Sequence, residues 1–69
     1  MEYTVKMTWD DEAGVWVAVC DELPIALESE SVDELIAHVT GAAPELLELG
    51  GKPAEAVLVF VASRTAAIA

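Results

Sequence analysis

Met7-Thr8-Trp9-Asp10-Asp11-Glu12-Ala13-Gly14-Val15-Trp16-Val17-Ala18, followed by Ser31-Val32-Asp33-Glu34-Leu35, is the part of the chain that decides the fold. Tyr3, Val5, Met7 and Trp9 alternate with Thr4, Lys6 and Thr8, the period-2 signature of a strand with one buried face and one mostly polar face. Asp10 to Gly14 turns the chain, and Gly14 supplies the positive φ that a hairpin loop of this length needs. The strand that follows, Val15 to Cys20, is apolar on both faces: Val15, Val17 and Val19 on one, Trp16, Ala18 and Cys20 on the other. Ser31 and Glu34 then form an S-x-x-E capping box, with Asp33 and Glu34 suited to the positive end of a helix dipole. A hairpin therefore feeds a helix.

Working outward, Asp21-Glu22-Leu23-Pro24 interrupts the strand pattern, and Ile25-Ala26-Leu27 resumes it as a third, edge strand. Val32, Leu35, Ile36, Val39, Ala43, Leu46 and Leu47 fall at helical spacing and stay in phase across Pro44. That phase favours one kinked helix from Val32 to about Leu49; a second short helix with Pro44 at its first position is the alternative. Gly50-Gly51 ends the helix and Pro53 prevents its continuation. Residues from about Glu55 to Ser63 read as a last strand, and Arg64 to Ala69 carry no pattern.

The fold class is thus α+β: a small β-β-β-α-β domain, mainly an antiparallel sheet, with one kinked helix packed on one face. Residues 1–69 make a single domain. The helix leaves the other face of the sheet uncovered. That face carries either the valines or Trp16, Ala18 and Cys20 on the second strand, and either Val57, Val59 and Val61 or Leu58, Phe60 and Ala62 on the last. A chain of this size buries only about 60% of its unfolded surface, so its core is marginal. Cys20 is the sole cysteine, which excludes an internal disulfide, and one Cys with one His is a poor zinc set. A homo-oligomer, a dimer or higher, is the expected source of further stability.

Thirteen Asp and Glu stand against 3 Lys and Arg, for a net charge of −10. Such a chain repels phosphate, so direct binding to nucleic acid or to an anionic membrane is not expected. A basic protein partner suits the charge. No signal peptide opens the chain and no apolar run reaches membrane-spanning length; with a free cysteine, these point to the cytoplasm.

A search for catalytic chemistry finds none. His38 lies toward the polar edge of the helix with nothing nearby to tune it, and reads as a surface histidine. Cys20 sits beside Asp21 and Glu22, which work against a reactive thiolate, so it reads as a small apolar residue. Asp10-Asp11-Glu12 matches a calcium loop in charge only, and Gly50-Gly51-Lys52 has neither the spacing nor the placement of a phosphate loop. Pairs such as Glu45 with Glu48 are unavoidable in so acidic a chain. Trp9 and Trp16 flank the hairpin and are expected to pack as a cross-strand pair. The expectation is a protein without enzymatic activity, metal or cofactor.

In Glu12-Ala13-Gly14-Val15-Trp16-Val17 and the later Pro44-Glu45-Leu46-Leu47 the chain resembles the HicB-like antitoxin superfamily, in particular its short, single-domain members of unknown function (DUF1902-like). The resemblance implies a small fold of three strands, a helix and a fourth strand. It also implies a non-catalytic antitoxin that binds and occludes a small basic ribonuclease toxin, as part of a toxin–antitoxin system. Complete members carry a C-terminal DNA-binding module, and with Ala69 following so soon after the last strand none is expected here. Where the superfamily commonly has Asp-Leu-Pro-Gly, this chain has Glu22-Leu23-Pro24-Ile25, so that turn must differ. Trp16, Cys20, Asp21 and Glu22 are the residues expected at a partner-binding surface. The alternative is a homo-oligomeric structural or small-ligand-binding module with no toxin partner.

Overall fold

A computed structural model describes residues 2–53, 55–66 and 68. It contains strands β1 (Glu2–Asp10), β2 (Val15–Cys20) and β3 (Ile25–Ser29), helix α1 (Val32–Leu49) and strand β4 (Val57–Ser63). The four strands form one sheet in the order β3-β2-β1-β4. β1 pairs antiparallel with β2, and β2 with β3, while β4 returns beside β1 in parallel. The α+β reading and its element order hold, with α1 packed on one face of the sheet. A parallel return needs a crossover, and α1 supplies it.

The hairpin turn is built by Asp10. Its carboxylate accepts the backbone N–H of Glu12 at 3.1 Å and of Ala13 at 3.3 Å, and its carbonyl accepts that of Gly14 at 2.8 Å. Gly14 closes the loop at φ +68°, a conformation that costs a residue with a Cβ about 1–2 kcal/mol. The next turn needs no such freedom. The N–H of Ile25 donates to the carbonyl of Leu23 at 2.7 Å, a three-residue turn centred on Pro24, whose ring already fixes φ near the required value. A β-branched Ile25 can therefore open β3 directly. That strand continues to Ser29, beyond the expected Leu27, because its ladder with β2 runs from Cys20↔Ile25 to Trp16↔Ser29. β4 starts at Val57, later than the expected Glu55, where its ladder with β1 opens at Glu2↔Val57.

Helix α1 begins as its caps dictate. Ser31 is the N-cap, and its hydroxyl accepts the N–H of Glu34 at 3.5 Å. The return half of the capping box runs through a relay: Glu34 accepts the Ser29 hydroxyl at 2.9 Å, and that hydroxyl accepts the N–H of Ser31 at 3.5 Å. The helix passes through Pro44 as one element of 18 residues. Pro44 has no N–H, so the carbonyl of Thr40 loses its usual helical donor. At the far end Gly51, at φ +67°, donates to the carbonyl of Glu48 at 3.1 Å, and Lys52 donates to that of Leu47 at 2.9 Å. These two bonds make a Schellman motif with Gly51 in its left-handed position.

Leu35, Val39, Ala43 and Leu47 recur every fourth residue and are the buried stripe of α1. They meet Tyr3, Val5 and Met7 of β1, Ala18 of β2, Ile25 of β3 and Leu23 of the preceding turn. Burying each large side chain of this set contributes about 1.5–3 kcal/mol. The helix lies closer to β3 and β2 than to β4.

Candidate functional site

The strand registers settle which side chains turn away from the helix. Residues directly opposite in a ladder share a face, and Met7↔Ala18 and Trp9↔Trp16 place Trp16, Ala18 and Cys20 on the helix side with the β1 core residues. Tyr3↔Leu58 and Val5↔Phe60 do the same for Leu58, Phe60 and Ala62 of β4. The valines of both strands consequently point outward. The open face carries Val15, Val17 and Val19 on β2, then Thr4, Lys6 and Thr8 on β1, then Val57, Val59 and Val61 on β4. Val19, Val57, Val59 and Val61 are 43%, 59%, 36% and 48% exposed. Lys6 stands in the middle, its register partners being Val19 and Val61.

The helix side has its own gap. Between α1 and β4 lies a groove of about 310 Å³, with Thr40, Ala43 and Pro44 on the helix wall and Leu58 and Phe60 on the strand wall. It exists because the helix is drawn toward β3 and leaves β4 partly covered. Leu58 and Phe60 are half-buried there, packed against the edge of the core.

Every one of the 13 Asp and Glu is exposed, and no polar or charged residue is buried among the described residues. Two of the 3 cations are held against aromatic rings. Lys52 donates to the carbonyl of Glu22 at 2.9 Å and lies 5.4 Å from the centroid of Tyr3, tying the β2–β3 turn to the end of the helix. Arg64 sits 4.4 Å over the ring of Trp9. Cation–π contacts of this kind contribute about 0.5–1 kcal/mol at exposed sites. The remaining cation, Lys6, faces the open side of the sheet.

The four residues expected at a partner surface fall into two places. Trp16 is at the hairpin end of β2, half-buried, edge-on to Trp9 with ring centroids 5.6 Å apart and an interplanar angle of 62°. The indole N–H of Trp9 in turn donates to Asp11. Cys20 closes β2 at the opposite end, about 13 Å away along the strand, half-buried against the core as a free thiol. Asp21 and Glu22 follow it in the exposed turn. The structure therefore groups Cys20, Asp21 and Glu22, and places Trp16 with Trp9, Asp11 and Arg64. His38 is exposed on the outer side of α1, as its place on the helical wheel implies. Among the described residues no group of three or more His, Cys, Asp and Glu is arranged to hold a metal ion, and no helix is long and apolar enough to cross a membrane. Sequence reasoning missed the ring contacts of Arg64 and Lys52, which no local pattern announces.

The chain is similar in structure to a hypothetical protein from the extremely thermophilic bacterium Thermus thermophilus. The two share 36% sequence identity and a TM-score of 0.76, over 100% of this chain and 99% of the other. No curated protein matches. The model of a domain of unknown function, DUF1902, matches residues 2–69, and by that match the chain belongs to the DUF1902 family.

Proposed function

We propose that this chain is a non-catalytic protein-binding domain whose partner is a small basic protein, the role that HicB-like antitoxins play toward a ribonuclease toxin. The observation that carries this reading is that all 13 acidic residues are exposed, with two of the 3 cations drawn onto aromatic rings. Uncompensated surface charge of one sign steers an oppositely charged partner into contact and repels nucleic acid. The acids are spread over several elements. Asp10, Asp11 and Glu12 mark the hairpin tip, Asp21 and Glu22 the next turn, and Glu28, Glu30, Asp33 and Glu34 the passage from β3 into α1. A partner that wraps the domain would meet acids along its path, while apolar surface on the open face provides contact area that charge alone does not.

The test is co-expression with the product of the adjacent reading frame, followed by pull-down and growth measurements. The expected result is a complex, and growth that the neighbour impairs alone but not with this chain. Absence of a complex together with no growth effect contradicts the proposal.

A further inference from the structure

We infer that β4 is a self-association edge: two copies pair their β4 strands antiparallel about a two-fold axis, extending the sheet across both molecules. The inference goes beyond the toxin-binding reading and does not need it.

The two edges of the sheet are β3 and β4. A free edge offers unpaired N–H and C=O groups to any other strand, and proteins usually guard it with charge, proline or a bulge. β3 is guarded in this way: Glu28 lies within it, Glu30 follows it and Pro24 precedes it. β4 is flanked by Glu55 and Arg64, but within its own length it has no such guard. Its seven residues, Val57-Leu58-Val59-Phe60-Val61-Ala62-Ser63, include no charge and no proline, and all but Ser63 are apolar. In a molecule of net charge −10, this is the strand along which a second copy can approach without bringing acids face to face. The charge pattern selects the occupant: a basic partner gains nothing from a neutral edge, whereas another acidic copy does.

Pairing centred on Phe60 uses the whole strand. Val59 then meets the partner's Val61 on the open side, and Leu58 meets the partner's Ala62 on the helix side, a large residue against a small one. Phe60 meets its own counterpart on the axis, at the strand wall of the groove beside Pro44. An isologous contact of this kind closes after two copies. Stacking two sheets through their open faces is the competing arrangement, and it brings Lys6, in the middle of that face, into a desolvated interface.

Sedimentation equilibrium on the purified chain, with circular dichroism as the check on folding, separates the two. The expected result is a dimer at micromolar concentration that tightens as salt screens the net charge. Val59→Lys is expected to raise the dimer dissociation constant by about tenfold or more while the circular dichroism spectrum is kept. Val19→Lys, on the open face but two strands from the edge, is expected to leave the dimer unchanged. Val61→Lys serves in place of Val59→Lys should the latter fail to fold. A monomer at low and high salt, a dimer indifferent to the β4 lysine, or a dimer broken equally by Val19→Lys overturns the inference.

Discussion

Trp16 and His38 are both large, ring-bearing residues, and the structure gives them opposite weights. Trp16 is half-buried, edge-on to Trp9 and packed against the core, while His38 is exposed on the outer side of α1. Trp16→Ala is therefore expected to lower the unfolding free energy by about 2 kcal/mol or more, and His38→Ala by less than about 0.5 kcal/mol, in matched urea titrations. Leu35, fully buried under the sheet, is expected to cost about 2–5 kcal/mol as Leu35→Ala. These weights were legible in the sequence because strand alternation and helical spacing report burial directly. The cation–π contacts were not. Arg64 reaches Trp9 only because β4 lies beside β1 with Thr8 opposite Ser63, a pairing between residues far apart in the chain.

At the scale of elements, the local signals read best. The caps at Ser31 and Gly50-Gly51 delimit α1, and the acidic turn with Gly14 delimits the hairpin, because each acts on residues within a few positions of itself. Pro44 illustrates the competition between local and tertiary terms. It costs α1 one backbone bond, yet Ala43 and Leu47 on either side stay buried, so packing holds the helix continuous. Pro44→Ala restores a donor for the Thr40 carbonyl. Part of the gain is lost to the freer unfolded chain, leaving an expected rise of about 1 kcal/mol in unfolding free energy, measurable by denaturant titration. Ser31→Ala is expected to cost about 0.5–1 kcal/mol, the low end for an N-cap, since its bond to Glu34 is long at 3.5 Å and Ser29 still engages Glu34. The partner of β4 and its parallel sense were not legible, because strand pairing across a helix leaves no trace in local pattern. The direction of the valines was also hidden in strands apolar on both sides.

For the whole molecule, charge and apolar surface pull in different directions, and salt distinguishes their effects. The 13 exposed acids favour a basic partner and disfavour a second copy, whereas the neutral β4 edge favours pairing with a second copy once repulsion is screened. Rising salt is thus expected to weaken the complex with a basic protein and to strengthen self-association. Structural similarity to a hypothetical protein of a thermophile supports the fold over the full length, and the functional reading rests on the distribution of charge. The most direct test of that reading is a calorimetric titration of the purified chain with the product of the adjacent reading frame at about 50 mM and about 500 mM salt. The account predicts a complex at low salt whose affinity falls at high salt; no complex at low salt, or an affinity that does not change, would contradict it.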